Sequence, residues 1–311
     1  MAYPIAAGSV VSPAYSGTFI PEIWSPKILD KFYASSVLPA ISNTEYEGEI
    51  KTQGDKVIIR TRPTINITKY KAGQALTHQR PTADVIELLI DQGLAWDTIA
   101  DDVMEIQSDI NRMNLWSDDA GEQLKITLDR EVLGVLAPLT AAANRGATAG
   151  ALYANINLGV AGAPLALTKV NIIDHLVDLN EVLTQQNIPE PDRFFVIPAW
   201  ASSLLKKSDL KDASMSGDGV SVMRNGRLGM IDNCTLYSSN LLSNVTDSGG
   251  TANCTNIFAG NKRGLTFASQ LLKTETLRAE STFGDIMRGL HVYGFKVVQP
   301  TSLAASYVYK G

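Results

Sequence analysis

The chain is 311 residues long, 45% apolar and 19% charged, with a formal net charge of −5. That is enough apolar residue for one large domain or two, while the acidic balance excludes a protein that condenses nucleic acid by its own charge, since neutralising phosphates takes a surplus of Lys and Arg. Cys234 and Cys254 are the only cysteines and form no CxxC pair, so neither a disulfide framework nor a zinc site is implied, and both suit small buried residues in a reducing compartment.

Residues 1–17 are small and polar with Pro4 and Pro13, the composition of an arm with too little apolar surface to hold itself down. A short helix is expected from Ser25-Pro26, with Ile28, Leu29, Phe32 and Tyr33 on one face. Without a basic n-region ahead of an apolar run, and with no stretch near about 18 apolar residues, neither a secretory signal nor a membrane span is expected. The chain reads as a cytoplasmic product.

From residue 51 the period changes to two. Val57 and Ile59 alternate with polar neighbours, as do Ile65 and Ile67, while Pro63 and Pro81 interrupt. Prolines remove ladder donors, so an exposed two-stranded arm is expected, and Ile86, Leu88 and Ile90 make a buried strand leading back to the body. Ile99, Val103, Ile106, Ile110 and Met113 then recur at helical spacing with Asp101, Asp102, Glu105 and Asp109 on the other faces, which predicts a short helix before a long one over 114–136.

Thr140 to Pro164 is Ala- and Gly-rich and reads as a connection. Thr168 is expected to cap a helix through Gln186. Phe194 to Ile197 reads as a buried strand, Ala199 to Leu205 as a short helix, and 228–231, 234–238 and 257–259 as short strands between Gly, Asn and Ser turns. Residues 290–308 alternate again as closing strands. Strands and helices mix without a regular βαβ rhythm, which makes the class α+β.

Charge adds a second pattern. Residues 51–83 carry seven Lys and Arg against one acid, Asp55, whereas residues 84–131 carry thirteen acids against three cations, Arg112, Lys125 and Arg130. A basic arm followed by an acidic bar suits self-association in which the arm of one copy lies over the bar of the next, with like-charge repulsion opposing wrong placements. The alternative is that both runs are solvated faces that never meet. Arg60, Arg62, Lys69 and Lys71 on the arm, and Asp101, Asp102, Glu105 and Asp109 on the bar, are the candidate interface residues.

Wording and order together resemble the tailed-bacteriophage major capsid proteins of the HK ninety-seven-type fold. The residues that carry it are Phe19-Ile-Pro-Glu-Ile-Trp-Ser-Pro-Lys27, Gly54-Asp-Lys-Val-Ile-Ile59, the helix of 114–136, Phe194-Phe-Val-Ile-Pro198 with Leu204-Leu205, Arg227-Leu-Gly-Met-Ile-Asp-Asn233 with Ser239-Asn-Leu241, and Tyr293-Gly-Phe-Lys-Val-Val-Gln-Pro300 with Leu303. The resemblance implies an N-terminal arm (1–18), the start of a peripheral domain (19–50), an extended β-hairpin loop with its return strand (51–91), a peripheral domain with a long spine helix (92–165), an axial domain (166–285) and closing peripheral strands (286–311). It implies a shell subunit, no enzyme and no cofactor, assembling with itself into hexamers and pentamers around packaged double-stranded DNA that it touches weakly. It further implies a virion location after assembly in the host bacterial cytoplasm, with a portal, a separate scaffolding protein and, in some relatives, a decoration protein as partners. An encapsulin-type compartment shares this fold and is the alternative. Some relatives join an extended-loop Lys to an Asn of a neighbour, but no residue pattern here assigns an acceptor to Lys69 or Lys71.

Chemical motifs give little. Ser203-Leu-Leu-Lys206 is a literal SxxK and Ser238-Ser239-Asn240 a loose SxN, the elements of a serine acyl-transferase, but Lys273-Thr274-Glu275 lacks the glycine of the third element. His78, His175 and His291 share no ligand spacing, so no metal site is assigned. Gly260-Asn-Lys-Arg-Gly264 is a basic turn that an anion could touch or that simply links two elements.

Overall fold

A computed structural model describes residues 33–46, 56–63, 65–75, 78–102, 112–208, 229–280 and 282–311. The expected N-terminal arm, the helix near Ser25-Pro26, and Glu105 and Asp109 lie outside these residues.

In chain order the described elements are α1 (Leu38–Ile41), β1 (Lys56–Arg60), β2 (Val85–Leu89), β3 (Gln92–Asp101), α2 (Arg112–Leu139), β4 (Leu165–Leu167), α3 (Ile172–Gln185), β5 (Arg193–Ile197), α4 (Ala199–Lys207), β6 (Met230–Ile231), β7 (Cys234–Ser238), β8 (Asn244–Val245), β9 (Cys254–Asn261), β10 (Leu265–Arg278), β11 (Gly284–Val297) and β12 (Leu303–Lys310). They form a two-stranded hairpin β1–β2, an antiparallel sheet β10–β11–β3, and a mixed seven-stranded sheet ordered β4–β12–β9–β5–β7–β6, with β8 beside β9.

Period-two patterning explains how the large sheet serves two cores. On β5, Phe195 and Ile197 face a core built with α3 and α4, while Phe194 and Val196 face a second core built with α2 and the three-stranded sheet. β9 divides in the same way, Ile257 and Ala259 against Phe258. All five residues of β5 are buried, so Phe194 to Ile197 is the continuous apolar run that a strand covered on both faces requires. The helix α2, 28 residues and about 42 Å long at 1.5 Å per residue, buries Val132, Leu133 and Leu136 in the second core.

Polar side chains lock these layers. Asp129 of α2 accepts from the Ser36 hydroxyl at 2.8 Å and from the backbone N–H groups of Val37 at 2.6 Å and Leu38 at 3.3 Å, which ties residues 33–46 across the helix. Burial raises its pKa, and those three hydrogen bonds oppose the rise. Buried Arg193 donates to the carbonyls of Ile188 and Pro189, to Asn180 Oδ1 and to the Thr184 hydroxyl, so its guanidinium gathers the loose carbonyls beyond the end of α3.

Several sequence expectations change. Ile99 and Asp101 lie on β3, not on a helix: β11 offers a ten-residue antiparallel ladder in which Ile99 faces Ile286 and Asp101 faces Gly284, and that pairing overrides the helical spacing. A Cβ on Gly284 would collide with the Ala100 carbonyl oxygen, so the ladder closes there only on glycine. Ile65 and Ile67 form no strand and are 65% and 94% exposed, beside Pro63, which cannot donate to a ladder. The N-cap of α3 is Asn171, whose Oδ1 accepts from Thr168 N at 2.7 Å. The closing block also divides, β11 joining β10 and β3 while β12 joins β4 and β9 in the large sheet.

His175 on α3 is buried, and its Nε2 lies 2.7 Å from the Ser306 hydroxyl, which itself donates to the Leu158 carbonyl. The single hydroxyl proton is thereby used, so Nε2–H must be the donor to Ser306. Burial lowers the His175 pKa from 6.5 to about 4. The unfolded chain therefore binds a proton that the folded chain refuses, and stability falls as pH drops from about 6.5 towards 4, by up to about 1.4 kcal/mol per pH unit. Thermal unfolding at pH 7 and pH 5 should show this loss, and His175→Gln should flatten the dependence.

Candidate assembly interface

The arm begins as a rooted hairpin. Lys56 pairs with Leu89 and Arg60 with Val85, and Val57, Ile59, Leu88 and Ile90 form a small core with Ala268. Gly294 marks where the hairpin crosses β11, because a Cβ there would overlap the Leu89 carbonyl oxygen. An isolated Gly inside a strand pattern signals such a close approach, and it is the one sequence signal that could have located the root.

Beyond Arg60 the ladder stops but the register continues. Thr61 N donates to the Asp84 carbonyl at 3.0 Å. The Gln79 amide spans Asn66, accepting from its N at 3.0 Å and donating to its O at 2.7 Å. Gln74 N donates to the Lys71 carbonyl at 2.9 Å, with Gly73 in the left-handed region at φ +85°. The tip is thus a closed loop held by side chains where prolines deny a backbone ladder. It exposes Ile65, Ile67 and Tyr70 next to Arg60, Arg62, Lys69 and Lys71, all four exposed. Among the described residues, none of these four cations forms an ion pair within its own chain.

The acidic residues divide into engaged and open groups. Asp102 accepts from both terminal nitrogens of Arg278, which also reaches Asp285 at 3.1 Å; these carboxylates raise the Arg278 pKa, Asp102 foremost. Glu275 is held by Lys273 at 2.6 Å and Arg288 at 3.1 Å, which lower its pKa in that order. Asp101 is exposed on β3. On α2, Asp118 is exposed, and Asp119 accepts from the Tyr33 hydroxyl at 2.6 Å, which lifts the Tyr33 pKa to about 12. Of the named bar residues, the structure therefore presents Asp101 to solvent and spends Asp102 on Arg278.

The competing motifs find ordinary roles. Ser203 donates to the Ala199 carbonyl of its own helix at 3.1 Å. His78 is exposed, His175 is buried on Ser306, and His291 is buried, with its Nε2 2.8 Å from Ser269. Among the described residues no His, Cys, Asp and Glu cluster suits a metal ion, and no helix is long and apolar enough to cross a membrane. In the basic turn, Asn261 accepts from Arg263 N at 3.1 Å and donates to the Pro191 carbonyl at 2.7 Å, so it links β9 to β10. Both cysteines are buried and free.

The family model described as phage capsid protein matches residues 96–306. The chain belongs to this phage capsid family. Among solved structures, the protein is similar to a chain from Mycobacterium phage Che8, at 26% identity and TM-score 0.76 over 93% of this chain and 97% of that one. It also resembles the capsid of the cyanophage P-SCSP1u, at 17% identity and TM-score 0.71 over 95% and 96%. A third likeness is to the bacteriophage PhiM1 mature capsid, at 16% identity and TM-score 0.67 over 95% and 96%. No curated protein matches it significantly in sequence. The fold is the α+β, HK ninety-seven-type phage capsid fold, and the chain is a major capsid protein with a place in the virion shell.

Gly294→Ala in the capsid protein drives a methyl into the Leu89 carbonyl and should destabilise the root of the arm by about 1–3 kcal/mol. Limited proteolysis should then cut within 61–84 faster than in the parent chain while the large sheet stays resistant.

Proposed function

We propose that this capsid protein assembles with itself into hexamers and pentamers of an icosahedral shell that encloses packaged double-stranded DNA. The carrying observation is the arm: a hairpin with a buried root and a tip whose Ile65, Ile67 and Tyr70 are exposed and whose four cations have no ion-pair partner among the described residues of their own chain. Such a tip reduces its exposed apolar area only by lying on another copy. A heterologous contact of that kind closes into a ring when the rotation allows. In this reading residues 1–18 are an N-terminal arm, α2 with the three-stranded sheet is the peripheral domain, and the seven-stranded sheet with α3 and α4 is the axial domain.

The receiving surface is the neighbour's acidic stretch, through Asp101, Glu105 and Asp109, with Asp102 entering only in competition with Arg278. A single exposed ion pair contributes about 0–1 kcal/mol. Repetition around every ring, together with burial of Ile65, Ile67 and Tyr70, makes the contact sufficient. The net charge of −5 fits a container whose contact with DNA is weak, so filling it takes a portal and a motor. Assembly takes place in the host bacterial cytoplasm on a separate scaffolding protein, and a decoration protein is an optional outer partner.

Changing Arg60, Arg62, Lys69 and Lys71 together to Glu should abolish closed shells in electron micrographs while circular dichroism and the melting temperature stay near those of the parent. Shells of normal yield from that variant would refute the role given to the arm. Nuclease-resistant DNA in particles from infected cells supports the phage shell, whereas an enzyme cargo without DNA would favour the encapsulin-type compartment.

A further inference from the structure

A cavity of about 200 Å³ lies where the strap of residues 36–44 crosses α2 above the three-stranded sheet. Its walls are Leu38 and Pro39 from the strap, Leu124 and Leu128 from α2, and Phe267 from β10. Phe267 and His291 flank Tyr293, with ring centroids 5.8 Å and 5.5 Å from it, so one side of the cavity backs onto a bank of three rings.

Most polar groups in the lining are already engaged. The Ser36 hydroxyl and both oxygens of Asp129 are used in the strap contact. Ser42 donates to the Leu38 carbonyl at 2.7 Å. Lys125 pairs with Glu122 at 2.7 Å, and His291 lies 2.8 Å from the Ser269 hydroxyl. Thr44 and Pro39 stand exposed at the mouth. A water inside would need two to four polar partners, more than these mostly apolar walls offer, and an apolar cavity of roughly 150 Å³ is known to stay dry and take benzene.

From this we infer that the cavity is a binding site for an uncharged aromatic molecule of one or two rings, entering past Pro39 and Thr44 and stacking against the bank of rings. The size sets the upper limit at an indole-like bicycle. With most polar groups engaged, the lining favours ligands that do not depend on hydrogen bonds deep inside, and the rings favour a flat π-system over an aliphatic one of equal volume. An occupant touches the strap, the long helix and the sheet at once, so binding braces these three elements against one another.

The test uses the full chain, as free subunit or in shells, with indole as the probe. Indole at tenfold its Kd should raise the melting temperature by about 2 °C. Leu124→Trp, which fills the cavity, should abolish that rise, and Leu124→Ala, which enlarges it, should retain the response. A phenyl diazirine probe irradiated with the parent chain should label the peptides bearing Leu38, Leu124 or Leu128, and excess indole should suppress the labelling; this readout stands even if the Trp variant fails to fold. No melting shift, an equal shift in a folded Leu124→Trp chain, or labelling confined to other peptides would overturn the assignment.

Discussion

The strand β5 holds the molecule together because it is buried on both faces. Phe195 and Ile197 belong to one core and Phe194 and Val196 to the other, so neither core closes without this one strand. Each such side chain contributes about 1.5–3 kcal/mol by leaving water. Register on this strand is therefore fixed strongly: a slip of one residue would exchange the two faces and leave each core with side chains of the wrong size. β9 and β12, which follow β5 on one side of the sheet, repeat the division and extend the shared wall.

The arm shows the opposite economy of contacts. Only its root is buried, on Ala268 and beside Gly294, and the rest holds its shape through a few side-chain bonds to backbone, the Gln79 amide across Asn66 above all. A loop kept in register yet left uncovered has little to lose and much apolar surface to bury when a second surface arrives. Prolines serve the same end, since they prevent the tip from forming an open ladder that would template indiscriminate strand pairing.

Electrostatics within the chain narrows what its charge pattern suggests. Arg278, far from Asp102 in sequence, takes that carboxylate in a two-pronged contact and reaches Asp285 as well. Glu87 and Glu122 are likewise claimed by Lys56 and Lys125. An excess of acids counted along 84–131 therefore overstates the negative surface left for a partner, whereas on the arm Lys56 pairs with Glu87 but, among the described residues, Arg60, Arg62, Lys69 and Lys71 form no ion pair within the chain.

Local pattern by itself determined the buried strand at Phe194–Ile197, the long helix ending near Pro138, the hairpin with its basic tip and the α+β class, since each is written in short-range periodicity or composition. Family wording in six places gave the capsid fold. Only the tertiary structure decided that Ile99 and Asp101 are strand residues, that Asn171 and not Thr168 stands at the N-cap position of α3, that the closing block feeds two sheets, and that Asp129 bolts the strap to α2. The strand at Ile99–Asp101 and the Asp129 contact depend on partners 90 to 190 residues away, the ladder of β11 and the N–H groups of Val37 and Leu38. Periodicity reports which face a residue would bury in a given element, but not which distant strand will offer it a better one.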